Sequence, residues 1–87
     1  MLESPPPTYP HSARRRRAEG LVLVRARVAS GGQVVETQLA RSSGAEDLDR
    51  AALEAVRSWR FRPGIRGSRS VEAWVRVPVR FRLGPAL

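Results

Sequence analysis

SVEAWVRVPVRFRL, residues 70–83, alternates apolar and polar side chains along its length. One side of the alternation is apolar throughout and consists of Val71, Ala73, Val75, Val77, Val79, Phe81 and Leu83. A repeat of two residues is typical of a β-strand, because successive side chains point to opposite faces of the sheet. The stretch therefore predicts a long strand with one buried face. Pro78 has no N–H to donate, so the strand should lie at the edge of its sheet or carry a bulge there.

Two more strands and a turn precede this stretch. Residues 20–28, GLVLVRARV, alternate in the same way, and residues 34–42, VVETQLARS, resume an extended pattern after the turn SGGQ. Glycines in such a turn supply the positive backbone angles that join two strands into a hairpin. The alternation slips between Val34 and Thr37, which predicts a β-bulge or a shift of face at that point.

One helix is clear in the pattern, within residues 42–59, SSGAEDLDRAALEAVRSW. Its apolar side chains recur at helical spacing and form one stripe that should be buried, made of Leu48, Ala52, Ala55, Val56 and Trp59. Acidic residues gather at its start, where the helix dipole favours negative charge; these are Glu46, Asp47 and Asp49. The segment PGIRGS that follows has a proline and two glycines and predicts a loop.

The N-terminal part of the chain predicts an extended segment followed by a short helix. The segment ESPPPTYP contains four prolines, which exclude a helix interior and are typical of a linker. A helix from about Pro10 to Arg17 follows, because the residues between them favour a helix and proline fits its first turn. We therefore predict residues 1–9 as the remnant of a proline-rich linker, residues 10–84 as one domain and residues 85–87 as a tail.

The order of these elements is helix, strand, strand, helix, strand. It predicts an α+β fold in two layers, in which a three-stranded antiparallel sheet packs on helices. The chain has no cysteine, which excludes disulfides and thiolate metal sites. No apolar run approaches the roughly 18 residues that a membrane-spanning helix needs.

The net charge is +8, and every basic residue is arginine. Such a charge favours a nucleic acid, an anionic membrane surface or an acidic protein as partner. Arginine in place of lysine would equally follow from the coding bias of a GC-rich genome. His11 is the single histidine and has no cysteine and no obvious carboxylate partner nearby. We therefore expect no catalytic site, no metal site and no cofactor.

The stretch SWRFRPG, residues 58–64, raises a choice between two kinds of protein. Its alternating aromatic and arginine residues could stack nucleic-acid bases, or Trp59 and Phe61 could close a buried corner after the helix. Single-strand binders usually present several aromatic faces, whereas Trp74 is the one aromatic residue on the exposed side of the last strand. The run RRRR, residues 14–17, would point in all directions around a helix and form no single phosphate-binding patch. The buried corner is favoured, and a nucleic-acid-binding module is the alternative.

Seven short motifs occur in a fixed order along nearly the whole chain. They are Tyr9 and Pro10, Ala13, Glu19 and Gly20, Gly32 with Val34, Ser42 to Gly44, Trp59 with Phe61 and Pro63, and Val77 to Phe81. In this order they resemble the C-terminal domain of the TonB energy transducer family. Arg17 stands where such proteins often have glycine, so the first helix is expected to end later, at Gly20. The family's membrane anchor and long proline-rich spacer are missing from this chain, apart from the remnant SPPP.

The resemblance implies strand addition at the edge of the sheet. In such proteins an extended segment near the N-terminus of an outer-membrane transporter, the TonB box, pairs with the last strand. Pro78 would end the pairing here. The pairing residues implied in this way are Val71, Glu72, Ala73, Trp74, Val75, Arg76 and Val77. The first helix would lie near the plug of the transporter, with contacts from Tyr9, Pro10, Arg14 and Arg15.

The resemblance also implies where the domain works and which other partners it has. A proton-driven motor complex of the inner membrane would pull through the anchored protein to open the transporter. The domain is therefore expected in the periplasm, held to the inner membrane through a segment absent from this chain. The same free edge is open to a second copy of the chain, which would give a strand-exchanged homodimer. A stand-alone structural or interaction domain without a role in energy coupling is a further alternative.

Overall fold

The computed structural model describes residues 4–84 of the 87-residue chain. Within this range the elements are α1 His11–Arg15, β1 Gly20–Val28, β2 Val34–Arg41, α2 Glu46–Arg57, β3 Gly64–Arg66, β4 Arg69–Val71 and β5 Ala73–Phe81. β1 pairs antiparallel with β2 on one side and with β5 on the other, and β3 and β4 form a separate hairpin. This confirms the α+β class and the three-stranded antiparallel sheet. The predicted tail, residues 85–87, and the first three residues of the predicted linker lie outside the described residues.

The core lies between the sheet and α2, as the two periodicities predict. The inner face of β1 is fully buried, and the inner face of the second half of β5 is nearly so. The buried side chains of strands and helix are Val22, Val24, Ala26, Val28, Val77, Val79, Phe81, Leu48, Ala52 and Val56. Burial of one valine or leucine side chain is worth about 1.5–3 kcal/mol, so these residues hold the two layers together. Ala55, expected in the buried stripe, is half-buried at its margin.

The corner after α2 is closed by the two aromatics of SWRFRPG. Trp59 is 7% exposed and Phe61 is 8% exposed, and their ring centroids lie 6.4 Å apart. The indole Nε1 of Trp59 donates a hydrogen bond to the carbonyl of Pro5 at 2.7 Å. The backbone N–H of Phe61 donates to the carbonyl of Gly32 at 2.9 Å, which ties the corner to the turn of the β1–β2 hairpin. Buried rings offer no face to a base, so the buried corner is confirmed.

The first helix is shorter than predicted, and the expectation that it continues towards Gly20 is wrong. α1 ends at Arg15, and Arg17 takes a φ of 56°, in the left-handed region that glycine favours. The N–H of Ala18 donates to the carbonyl of Ala13 at 2.8 Å, and the N–H of Arg17 donates to that of Arg14 at 3.1 Å. These two bonds form a Schellman cap, which closes the helix without glycine.

Arg17→Gly should therefore raise the free energy of unfolding by about 0.5–1 kcal/mol. A non-glycine residue loses about 1–2 kcal/mol in the left-handed region, and the extra backbone entropy of glycine in the unfolded chain offsets part of that gain. Urea denaturation measures the difference. Arg15→Gly, within the same helix, is the control and should lose about 1 kcal/mol. A loss of similar size in both variants would contradict the cap described here.

The sequence predicts a loop and one long strand near the C-terminus, but the structure has three strands there, β3, β4 and β5. The segment PGIRGS is part of a tight hairpin in which Gly64 pairs with Val71, and its turn includes Gly67 at a φ of 64°. Glu72 interrupts the extended run, and β5 begins at Ala73. The prediction of one unbroken strand from Val71 is therefore wrong, because a short strand before the turn pairs with the beginning of that stretch and separates it from the main sheet.

Of the two alternatives predicted for β2, the bulge is confirmed. Arg27 pairs with Glu36 and Val28 pairs with Val34, so Val35 is the extra residue. Its side chain is 46% exposed. A second register shift, which the alternation did not indicate, lies between the partners of Leu23 and Val24. Bulges bend an edge strand and so blunt its ability to pair with another chain.

Candidate functional site

One side of β5 is open along the strand. Its other side pairs with β1 without a register shift, from Gly20 opposite Phe81 to Val28 opposite Ala73. Among residues 4–84, no strand pairs with β5 on the open side. The second outer strand, β2, carries the two bulges, whereas β5 is regular. The open side of β5 is therefore the sheet edge best suited to accept another strand.

Pro78 indicates which backbone groups face the open side. An antiparallel strand directs the N–H and C=O groups of alternate residues to each of its two neighbours. Pro78 stands opposite Leu23 within the regular ladder, and proline is tolerated in a strand where its missing N–H would point away from the neighbour. The backbone N–H and C=O groups of every second residue, counted from Pro78, therefore point to the open side of β5. Trp74 and Arg76 offer a donor and an acceptor each, and Pro78 offers an acceptor alone.

The side chains of these residues lie on the outer face of the sheet, away from α2. Trp74 is 37% exposed, and the guanidinium of Arg25 lies 4.2 Å from the centroid of its ring. Arg76 and Pro78 are exposed. On the inner face the neighbouring Val75 is half-buried and Val77 is 5% exposed. A strand added here would therefore meet an apolar surface on its inner face and a polar, basic one on its outer face.

An ion-pair network crosses the outer face beside the edge. Arg27 Nε donates to Glu36 at 3.1 Å, and Arg27 Nη1 donates to Glu72 at 2.9 Å. The hydrogen bond to Glu36, and then the one to Glu72, raise the pKa of Arg27 against the opposing effect of burial. Hydrogen bonds from Gln38, and then from Arg27, lower the pKa of Glu36. Glu72 is thus engaged with β1 at the point where β4 passes into β5.

The predicted contact residues near the N-terminus form a second group. Tyr9 is half-buried, its ring meets Phe81 edge-to-face at 5.4 Å, and its hydroxyl donates to the carbonyl of Ala18. The guanidinium of Arg14 lies 5.1 Å from the centroid of the Tyr9 ring. Pro10 precedes α1, and its carbonyl accepts the N–H of Arg14 at 3.0 Å. Tyr9 is therefore part of the packing that fixes the N-terminal segment on the sheet.

The structure does not bring the two predicted groups together. Tyr9 lies at the end of β5, beside Phe81, whereas Val71 to Val75 lie at its beginning or before it. The eight residue-to-residue steps from Ala73 to Phe81 span roughly 26 Å. Val71 itself is paired with Gly64 in the small hairpin. Arg15 is exposed on α1.

Two carboxylates that the sequence analysis assigned to the helix dipole hold the fold together. Asp47 accepts hydrogen bonds from both Nη atoms of Arg16 at 2.7 Å and from Ser12 Oγ at 2.6 Å, which fastens α1 to α2. These bonds, the Arg16 pair first, hold the pKa of Asp47 well below its ordinary value. Asp49 is buried and accepts from Ser42 Oγ, from the N–H of Ser43 at 2.9 Å and from Ser43 Oγ at 2.8 Å.

The Ser-Ser-Gly motif, Ser42 to Gly44, supplies the hydrogen bonds that hold the Asp49 carboxylate. Burial alone would raise the pKa of Asp49, but the hydrogen bonds from Ser42 and Ser43 outweigh it and lower the pKa. The motif thus anchors the turn between β2 and α2 through one carboxylate. The Arg16–Asp47 pair separates Arg16 from its neighbours in the RRRR run, just as the Tyr9 ring holds Arg14. The four arginines form no single patch.

Comparisons with known proteins agree with this arrangement. The family model described as Gram-negative bacterial TonB protein C-terminal matches residues 5–83. Protein tonB2 of Pseudomonas aeruginosa is 46% identical over 82 residues, which cover 94% of this chain and 30% of that protein. Protein TonB of Vibrio cholerae is 40% identical over 77 residues, which cover 88% of this chain and 32% of that protein.

A solved structure shows the same fold. The solution NMR structure of the Pseudomonas aeruginosa TonB CTD superposes with a TM-score of 0.79 at 29% sequence identity, covering 99% of this chain and 87% of that one. The chain spans about a third of the length of the curated relatives it matches. Within residues 4–84, no helix has the length and apolar character needed to cross a membrane. The family match over residues 5–83 and the shared fold lead to one conclusion: the chain belongs to the TonB C-terminal domain family.

Proposed function

We propose that this chain is the transporter-binding domain of an energy transducer. It binds the TonB-box segment of an outer-membrane transporter by adding that segment to the open side of β5, and it passes on the pull of an inner-membrane motor complex. The domain lies in the periplasm and is held to the inner membrane by an anchor outside this chain. It acts by binding, without catalysis or a cofactor. The observation that carries the proposal is the regular, unpaired edge of β5, where Trp74 and Arg76 present backbone donors and acceptors.

The pairing stretch of the proposal is Ala73 to Val77. Backbone hydrogen bonds supply affinity that depends little on the sequence of the guest, and the alternating side chains supply selectivity. Val71 and Glu72 lie next to this stretch but outside it. Val71 is already paired with Gly64 in the small hairpin, and the Glu72 carboxylate is bound to Arg27. Pro78 ends it by withholding a donor.

The contacts of the N-terminal segment support a role in force transmission. Pro5 is hydrogen-bonded to the buried Trp59, and the Tyr9 ring packs on Phe81 at the end of β5. Tension on the N-terminal segment therefore reaches the core and the guest-binding strand through side-chain contacts ahead of the first helix. Tyr9, Pro10, Arg14 and Arg15 are proposed to face the transporter, and Tyr9 is also part of this path.

Titration with a transporter's box peptide, followed by NMR, tests the proposal. We expect the largest amide shifts at Trp74 and Arg76, because their N–H groups face the open side. Arg76→Pro should weaken binding at least about tenfold, since it removes one guest hydrogen bond and obstructs another. Its fold should persist, because this N–H does not bond to β1. Arg80→Pro, an outward-facing position beyond Pro78, is the matched control and should bind as the unaltered domain does.

Two results would contradict strand addition at this edge. One is a set of shifts confined to the arginines of α1, and the other is unchanged affinity in Arg76→Pro.

The net charge of +8 is the observation that favours a nucleic acid instead. A gel-shift across a salt series separates the two cases, because phosphate-dominated binding weakens steeply with salt. A second copy of the chain at the same edge would appear as a concentration-dependent dimer in sedimentation.

A further inference from the structure

The arginines of the outer face differ in whether their charge is balanced. Arg27 lies between two carboxylates, and Arg25 stacks on Trp74 and donates to Gln38 at 3.3 Å. Arg76 is exposed and, within residues 4–84, has neither an ion pair nor a side-chain hydrogen bond. It is the one arginine within the pairing stretch Ala73 to Val77.

Arg76 also stands directly opposite a like charge. Across the β1–β5 ladder its partner is Arg25, and like charges in that position destabilise a sheet. Two carboxylates of the outer face, Glu36 and Glu72, are committed to Arg27. Arg76 therefore carries an uncompensated charge between a repelling neighbour and the open edge.

From these positions, and on the basis of the function proposed above, we propose that Arg76 selects a guest strand with an acidic residue opposite it. In a paired strand, that residue would lie on the same face, with its Cβ about 4.5–5.5 Å from that of Arg76. A carboxylate there accepts hydrogen bonds from the planar guanidinium and offsets the repulsion from Arg25.

The inner face defines the residues on either side of that carboxylate. The guest residues before and after it point towards Val75 and Val77, which are half-buried and buried. An apolar side chain extends the core at both places, whereas a polar one would lose water without gaining a partner. The preferred guest is therefore an extended segment with the order apolar, acidic, apolar.

The same charges argue against a second copy at this edge. β5, AWVRVPVRF, contains no acidic residue. Pairing of two β5 edges would place the outer-face arginines of one copy beside those of the other, without a carboxylate to separate them. An acidic guest is favoured over self-pairing for this reason.

Two peptides and two variants test the inference. The peptides have nine residues in which threonine alternates with valine, and the central residue is glutamate or glutamine. We expect the unaltered domain to bind the glutamate peptide about two- to fivefold more tightly at low salt, as for a cross-strand ion pair. Arg76→Gln should abolish this preference. Arg80→Gln removes the same charge from the same face beyond Pro78 and should keep it.

The stability of Arg76→Gln provides a second readout. Because Arg76 faces Arg25, its replacement should leave the melting temperature unchanged or higher, so lost selectivity cannot arise from unfolding. Equal binding of both peptides at the Trp74 and Arg76 amides would overturn the inference and leave strand addition intact. Loss of the preference for the glutamate peptide in both Arg76→Gln and Arg80→Gln would also overturn the inference. The preference would then depend on the overall positive charge of the face and not on an ion pair with Arg76. Failure of both peptides to shift any β5 amide would overturn the proposed function and this inference together.

Discussion

Trp59→Ala is expected to lower the free energy of unfolding by about 3–5 kcal/mol, the cost typical of removing a buried large aromatic side chain. Trp59 is 7% exposed and packs beside Phe61 at the end of α2. Its indole also donates to the carbonyl of Pro5, so the variant should release the chain around Pro5 as well. Small domains are stable by only about 5–15 kcal/mol, and this one change would remove a large part of that margin. Urea denaturation followed by circular dichroism measures it.

Trp74→Ala is the matched control for this prediction. Trp74 is 37% exposed and its stacking partner is Arg25, so the loss should be about 0.5–1 kcal/mol. Trp59→Phe keeps most of the ring volume and removes the N–H, and it should cost about 1 kcal/mol through the bond to Pro5. Equal urea midpoints for the two alanine variants would show that Trp59 does not close a buried corner.

Gly32→Ala is expected to lower the free energy of unfolding by about 2–5 kcal/mol. Gly32 has a φ of 92°, where a non-glycine residue is strained by about 1–2 kcal/mol. A Cβ there would also lie 2.5 Å from the carbonyl oxygen of Phe61, so the corner and the hairpin turn would have to separate. Such overpacking adds about 1–3 kcal/mol. The hydrogen bond from Phe61 N–H to the Gly32 carbonyl would weaken with it.

Gly44→Ala isolates the steric part of this effect. Gly44 has almost the same φ, 93°, but a Cβ there would meet no atom within 4 Å. It should therefore lose only the conformational share, about 1–2 kcal/mol. Thermal unfolding of the two variants side by side gives the comparison. If both lost the same amount, the close approach of Phe61 to the hairpin turn would impose no constraint on the fold.

The strands and the main helix could be predicted from the sequence because the buried face of each consists almost entirely of apolar residues. Alternating valines in β1 and β5 and the stripe through Leu48, Ala52 and Val56 each bury one side against the other layer. Pro78 likewise predicted an edge or a bulge, since its missing N–H excludes pairing on one side, and the structure has the edge. These features depend on residue type and spacing along the chain.

Three features could not be predicted from residue type and spacing, because each depends on a contact that leaves no repeat in the sequence. Arg17 holds a conformation typical of glycine because the helix cap requires it, and residue type alone argued for a longer helix. The β3–β4 hairpin consists of two strands of three residues each, too short for a periodicity to be visible. Asp47 binds Arg16, 31 residues away, so its role could not be predicted from the helix dipole.

The sequence by itself determined which side of the last strand and of the main helix is buried, favoured Trp59 and Phe61 as core residues, and limited Pro78 to an edge or a bulge. Only the tertiary structure decided what surrounds that edge. It showed that β5 is regular while β2 is bulged, and that Arg27 is neutralised by Glu36 and Glu72. The physical reason is that burial follows a local repeat, whereas the balance of a charge depends on which side chains the folded sheet places beside it.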